Sequence, residues 1–262
     1  MLSAEDDKLS DADRKLSDED HKLSDEDQIM SDEDHKLGNE DSKLSDADRK
    51  LAIRYAPRLW FDRSELFFPV RFGVTVLRKD GVSPSFRRRL AENRPEVEAI
   101  VEYAIYYDYD IQHLYDLEHV WVYIGRNGEV ADVEASFHGK YLKGLLRGSA
   151  NLSGTRAVLY VQPGKHALSP IPEVFELLPA FASCTQEEAG ADGLIFGDFF
   201  RGILATDEET DRRVRRYLQT CRFTPSLSYE EWIYADREDL FVSWSQLFAE
   251  IPGRIRRELG RL

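Results

Sequence analysis

The chain has 262 residues, 42% of them hydrophobic, and a formal charge of −14, enough for one good-sized domain with an appendage. The acidity excludes the basic footprint of a nucleic-acid binder, and no apolar run approaches the roughly 20 residues that span a bilayer. The start "MLSAEDDKLS" lacks a leader pattern, and Cys184 and Cys221 give neither a disulfide framework nor zinc spacing, so a soluble cytoplasmic protein is expected.

The charge is uneven. Residues 1–50 hold 18 acids against 8 bases, a balance of −10, so the other 212 residues, with 31 acids and 27 bases, sit at −4. From Lys8 the chain reads KLSDADR, KLSDEDH, KLSDEDQ, IMSDEDH, KLGNEDS, KLSDADR and KLA, a seven-residue period with Leu9, Leu16, Leu23, Met30, Leu37, Leu44 and Leu51 in one phase. A coiled coil needs two apolar positions per heptad, and here there is usually one. Ser and Asp are poor helix-interior residues, and Gly38-Asn39 interrupts the array. Residues 1–51 therefore read as an acidic heptad-repeat tail, disordered or partly helical. Weak self-association along the leucines and cation binding by the Asp-x-Asp pairs are the alternatives. With so few apolar residues in the repeats, a chain starting at Lys50 is expected to melt like the full one.

Residues 52–262 read as the folded domain. "YAPRLWFDRSELFFPVRFGVTVL" is aromatic and β-branched, with Pro57 and Pro69 at strand entries. "RKDGVSPS" is turn chemistry, and "EVEAIVEYAIYYDYD" alternates apolar with polar. "DLEHVWVYI" and "EVADVEASFH" flank Asn127-Gly128, a strong hairpin signal, and "RAVLYVQ" is a further strand. Short strands bounded by turns predict a mainly β fold, an antiparallel sandwich from about Tyr55 to Gln162. Beyond Pro170, "DEETDRRVRRYLQTC" predicts a surface helix. The stripe Trp244, Phe248, Ile251, Ile255 and Leu259, interrupted by Pro252, predicts a second helix that packs on the sandwich.

The stretches "YAPRLWFDRSELFFPV", "HLYDLEHVWVYI", "EASFHGKY" and "RAVLYVQPGKHALSP", in that order, resemble the vacuolar protein sorting-associated protein 62 family. The middle two are also similar to the necrosis- and ethylene-inducing peptide-like proteins, cytolysins built on a β-sandwich. Leu117 stands where both groups usually show tryptophan, and Tyr115 replaces the second histidine of the cytolysin heptapeptide. The resemblance covers about Tyr55 to Pro170 and implies a sandwich with a trafficking-related or headgroup-binding role. From the cytolysins it also implies an upstream aspartate beside the motif, for which Asp110 is the choice over Asp108.

Residues alone point to the same place. In a strand from Asp116 to Ile124, period two puts Asp116, Glu118, Val120, Val122 and Ile124 on one face, and His119, Trp121 and Tyr123 on the other. Two carboxylates in a core-facing row repel unless a positive charge joins them. A divalent cation (calcium, magnesium or manganese) suits those oxygens, with His113 reaching over from the preceding loop. Salt bridges from nearby Arg or Lys are the metal-free alternative. The expected metal set is thus His113, Asp116, Glu118 and Asp110, with His138, His166, Tyr109 and Tyr115 as ligand-binding candidates. A two-residue Asn127-Gly128 turn pairs positions summing to 255 and turns His138 away from the acids. A three-residue loop pairs it with Asp116, and the apolar pattern favours the former. A metal-dependent domain that binds a lipid headgroup or glycan is the leading reading. A metal-dependent hydrolase comes next, though no nucleophile motif is present, and a structural or trafficking scaffold without metal is third.

Overall fold

The computed structural model describes residues 43–262 except 79, 92, 93, 235 and 236. The repeats before Lys43, with their expected self-association stripe, lie outside the described residues.

The last repeat behaves differently from the expected tail. Its Ser45 side chain caps helix α1 (Asp46–Tyr55) by accepting the Asp48 N–H. Ala52 and Tyr55 are buried in the main core, and Leu44 and Leu51 pack against the same cluster. Arg49 Nη1 donates to the carbonyls of Glu238 at 3.1 Å and Phe241 at 2.6 Å. The Tyr103 hydroxyl donates to the Ala52 carbonyl at 2.7 Å. What distinguishes this repeat is the apolar "LAIRYA" that follows it, which supplies the buried face the repeats lack. A chain starting at Lys50 is therefore expected to melt several degrees below one starting at Lys43. It loses the cap, the Arg49 bonds and the Leu44 contact, together worth about 2–4 kcal/mol. Equal melting temperatures would show that this turn contributes nothing.

The chain then runs β1 (Arg58–Asp62), β2 (Arg71–Arg78), β3 (Gly81–Val82), β4 (Arg89–Leu90), β5 (Val97–Tyr109), β6 (Leu114–Gly125), β7 (Val130–Phe137) and β8 (Lys140–Lys143). After these come β9 (Leu152–Ser153), β10 (Arg156–Val161), β11 (Leu168–Ser169), α2 (Glu173–Glu176), α3 (Glu208–Thr220), β12 (Tyr229–Glu231), β13 (Phe241–Ser243) and α4 (Trp244–Leu259). One sheet is ordered β13-β2-β5-β6-β7-β8, the other β11-β10-β1-β12 with β9 on β10. The fold is a mainly β sandwich with helices in its C-terminal part. Pairing is antiparallel except for β1 with β10 and β2 with β13. The C-terminal part also returns β12 to one sheet and β13 to the other, strands of three residues that no alternation pattern can reveal.

Leu59 and Phe61 of β1 and Leu159 and Val161 of β10 meet Val101, Tyr103 and Ile105 of β5, Val120 and Val122 of β6, and Val133 of β7. The outer face of the larger sheet is covered too. Leu90 and Phe86 of the β3–β4 hairpin lie over Ile100, Trp121 and Tyr123. Leu247, Ile251 and Ile255 of α4, all fully buried, lie in one cluster with Ala104, Tyr106 and Leu114, and each such side chain contributes about 1.5–3 kcal/mol. Gly73 of β2 permits the close approach of α4, since a Cβ there would meet Leu247 Cδ2 at 2.7 Å. The Asp207 side chain caps α3 by accepting the Thr210 N–H, as its run of acids predicts.

The β6–β7 register keeps the sum of 255, with Val120 opposite Ala135 and Val122 opposite Val133. The turn is nevertheless longer than two residues, because the Gly125 N–H donates to Glu129. A bulge between Tyr123 and Ile124 absorbs the difference. Burial of the valine face decides the register, and the turn adapts to it.

Candidate functional site

Several loops converge at one end of the sandwich. Asp110 closes β5, and Asp116 and Glu118 lie on the inward row of β6. The Pro163-Gly164 turn after β10 carries Lys165 and His166, and the loop between β1 and β2 carries Glu65. The Ile111 N–H donates to the Gly164 carbonyl at 2.8 Å, locking hairpin loop to turn. Gly164 has φ of 70°, and a Cβ there would meet Ile111 Cγ2 at 2.8 Å, so glycine is required on both counts. Tyr115 and His166 adopt φ of 54° and 59°, left-handed backbone that is uncommon for such side chains and clusters at functional sites.

The cluster is almost closed to solvent. Asp110 and His166 are 1% and 0% exposed, Glu65 and Glu118 6% and 7%. His166 Nδ1 lies 3.1 Å from Asp116 Oδ2, and its ring stacks on Tyr107 with centroids 3.9 Å apart. Lys165 Nζ sits 2.8 Å and 2.9 Å from the two oxygens of Asp110. His113 Nδ1 is 2.7 Å from the Tyr115 carbonyl. A carbonyl only accepts, so Nδ1 carries a proton, and Nε2 lies 3.8 Å from Asp110 Oδ1. Glu118 accepts a hydrogen bond from the Ser136 hydroxyl. Glu65 accepts from the backbone N–H groups of Leu66, Phe67 and Gly164, and lies 3.9 Å from His166 Nε2.

Burial raises the carboxyl of Asp116, but the hydrogen bond and charge of His166 outweigh it and hold it below the usual range. Burial lowers His166, and Asp116 and Glu65 together overcome this and raise it. Burial first, and then the Asp116 charge, push Glu118 well above the ordinary range. Burial also raises Glu65, against the pull of His166 and its three N–H donors. Burial works against the Lys165 ammonium, yet Asp110 keeps it raised and charged. Burial and the Asp116 charge thus press Glu118 towards the neutral acid even with Lys165 and His166 present.

Asp110, Asp116 and His166 each offer a ligand atom, all within 4.8 Å of one another, so this group can hold a metal ion. Two carboxylates and an imidazole suit calcium, magnesium or manganese. The buried His166 Nε2 has no hydrogen-bond partner and faces Glu65 at 3.9 Å, and the imidazole must give up a proton to bind a metal. Of the expected metal set, Asp110 and Asp116 belong to the group, His113 stands beside it, and Glu118 lies behind, tied to Ser136. His166, expected as a ligand-binding residue, lies inside it. His138 does not: exposed in the turn after β7, it bonds Gln162 Oε1 at 2.7 Å. Tyr115 is corrected as a stacking surface. Its ring, 9% exposed, stacks on Tyr106 and meets Phe200 edge-on. Tyr109 also faces that side, donating to Glu258 at 3.0 Å.

Sequence reasoning missed Glu65, Lys165 and Ser136. "PGKH" did carry a signal, a lysine beside a histidine in a tight turn. Glu65 carried none, being a single acid in an aromatic run.

Fold and site define a β-sandwich with a buried acid–histidine cluster at one end. No family model and no curated protein matches the chain, so its similarity to the vacuolar protein sorting-associated protein 62 family rests on the sequence motifs. Solved structures of necrosis- and ethylene-inducing toxins do match. NLPPya in complex with mannosamine is 20% identical over 49% of this chain and 68% of that one, with a TM-score of 0.34. NLPPya in complex with glucosamine is 18% identical over 53% and 74%, with a TM-score of 0.35. Necrosis and Ethylene inducing Protein 2, from the causal agent of cocoa's Witches Broom disease, is 19% identical over 52% and 72%, with a TM-score of 0.33. At this identity and TM-score they assign the present chain neither ligand nor activity.

Proposed function

We propose that the domain is a cation-dependent binding module. Asp110, Asp116 and His166 would hold one divalent cation, His113 would offer a further nitrogen, and a polar headgroup or glycan would reach it past the partly exposed side chains of His113, Asp116 and Lys165. The observation that carries this reading is the approach of three ligand atoms, one each from Asp110, Asp116 and His166, within 4.8 Å of one another. A trafficking role, implied by the vacuolar protein sorting-associated protein 62 resemblance, is part of the proposal: such a module sorts by recognising a headgroup. The metal-dependent hydrolase remains the alternative: its nucleophile would be a water on the same cation, not Ser136, which is buried and engaged with Glu118 and the His119 N–H.

A second reading has an observation of its own. Lys165 already sits on both oxygens of Asp110, and His166 on Asp116, so the cluster can also be a metal-free structural lock. Thermal melts of the full chain with calcium, magnesium, manganese or chelator separate the two. Cation binding at one hundred times its dissociation constant adds about 2.7 kcal/mol, a rise of roughly 5–10 °C. A glycan and lipid-headgroup array probed with and without chelator should then show cation-dependent retention. Melting indifferent to every cation leaves the structural lock.

A further inference from the structure

The chain's charge of −14 conceals a basic face. Residues 212–227 and 251–262, which hold most of α3 and the second half of α4, contain nine arginines, no lysine and one acid, Glu258. That acid is turned inward: it is 3% exposed and engaged by the Tyr109 hydroxyl and by Arg261. Outside, the last turns of α4 expose Gly253, Arg256, Arg257, Gly260 and Arg261, and α3 exposes Arg212, Arg215 and Arg216. Arg213 Nη2 donates to the Leu259 carbonyl, which sets the middle of α3 against the last turn of α4, so the two sets adjoin.

Two ordinary roles leave most of these arginines unexplained. Ion pairing serves some: Arg212 with Glu209, Arg254 with Glu250 and Asp108, and Arg257 and Arg261 sharing Glu258. Arg213, Arg215, Arg216 and Arg256 form no ion pair among the described residues. What bonds they make go to carbonyls, which leave the charge unbalanced. Complementing the helix dipole accounts for Arg256 and Arg257 in the last turn of α4. It does not account for Arg212 to Arg216, which begin in the second turn of α3.

The side chains select the partner. Arginine without lysine suits oxygens arranged as in phosphate, which the planar guanidinium grips with two N–H groups. At physiological salt a charge is screened beyond about 8 Å, so a surface in contact meets the arginines and not the acidity of the whole chain. One apolar side chain stands among them. Ile203 is 47% exposed, and its carbonyl accepts from Arg256 Nη2 at 2.9 Å, so isoleucine and guanidinium adjoin. A nucleic-acid backbone or an acidic peptide uses only the arginines. The edge of a phospholipid layer uses both, with phosphates on the guanidinium groups and the isoleucine among the first acyl carbons.

We propose that this face of α3 and α4 docks on a membrane surface rich in anionic phospholipid, with Arg216, Arg256, Arg257 and Arg261 on the phosphates and Ile203 at the acyl boundary. The contact needs no metal and is separate from the cation cluster.

The test sediments the full chain, in chelator throughout, with vesicles of phosphatidylcholine alone or with roughly one-third phosphatidylserine. Binding to the anionic vesicles only is expected, and it should fall steeply from low to high salt. Each arginine near such a surface contributes about fivefold, so Arg216→Gln with Arg257→Gln should weaken binding about 25-fold. The same charge removed elsewhere, by Arg126→Gln in the β6–β7 turn with Lys140→Gln in β8, should leave it unchanged. Ile203→Ser should weaken it several-fold. Equal binding to neutral and anionic vesicles, or none to either, overturns the proposal. So does an arginine variant that melts like wild type and binds as tightly, a control that loses as much, or an Ile203→Ser variant that binds like wild type. Retention on duplex DNA or heparin without vesicle binding assigns the face to a different polyanion and overturns it as well.

Discussion

Lys165→Met should lower the melting temperature in chelator by roughly 10 °C, and divalent cation should recover most of that loss. Asp110 is 1% exposed and Lys165 Nζ bonds both of its oxygens, so removal of the ammonium strands a buried carboxylate. Breaking such a pair costs about 3–5 kcal/mol, and a domain of this size loses about 2–4 °C per kcal/mol. A metal ion entering the group of Asp110, Asp116 and His166 must displace the ammonium from Asp110. Lys165 is long, and its side chain is 13% exposed at the mouth of the cluster, so it has somewhere to go. In wild type the ammonium competes with the metal, and in the variant nothing does. The cation-induced rise should therefore be larger in Lys165→Met than in wild type. If the variant melts at one temperature with and without calcium, magnesium or manganese, Asp110 is not a metal ligand. A rise in wild type without a larger rise in the variant would place the ion away from Lys165.

Much of this arrangement was legible from the chain alone, and what was hidden has physical reasons. Period two assigned the faces of β6 from Asp116 to Ile124, because both faces are buried against different clusters and neither tolerates a slip. Helix α3 announced itself through Asp207 and the acids that follow. Tyr115 keeps to that alternation, sharing the outer cluster with Leu117, and the helical segments that cover it there leave no local pattern. The Tyr115 carbonyl keeps a proton on His113 Nδ1, a consequence no pattern contains. His166 sits near Asp116 because an irregular turn with glycine at its centre bends it there, and turns of that kind carry little local signature.

The positive charge that Asp116 and Glu118 call for lies about fifty residues away, on Lys165 and His166. Two acids on a core-facing row did imply positive charge, but Lys165 and His166 come from a turn on the other sheet, and pairing between sheets leaves no trace in sequence spacing. The last heptad shows the opposite case. Its letters match the first repeat, KLSDADR, and only the apolar residues after it decide that α1 packs on the core. Context, not motif, carries that information.

Asp116→Asn should change the pH dependence of stability as well as its size. His166 faces Asp116 from β6, Glu65 from the β1–β2 loop and Asp110 from the end of β5, with Lys165 beside it and the Tyr107 ring against it. Its folded pKa is raised, so its stabilising contribution is complete below its unfolded value of about 6.5 and is lost as pH rises through the folded value. The folded pKa of Asp116 is depressed, so its contribution is present above about 3.9 and is lost as pH falls through the folded value. The pair therefore stabilises most between about pH 4 and 6.5, and weakens on the alkaline side as His166 discharges. Glu118 acts in the opposite sense. Its raised pKa costs stability above about pH 4.3, and part of that cost is repulsion from Asp116. In chelator, the variant should melt lower than wild type near pH 5.5, by roughly 6–10 °C for a broken pair of about 3 kcal/mol. That gap should narrow as pH rises through the folded pKa of His166, because wild type then loses the charge on His166 while the variant has been relieved of repulsion on Glu118. The cation-induced rise should be absent in the variant at every pH. Two melting curves that stay parallel through the folded pKa of His166, with a constant offset, would mean that Asp116 and His166 share a hydrogen bond without sharing charge. A cation-induced rise that survives the substitution would remove Asp116 from the metal group and leave the cluster as a lock between the two sheets.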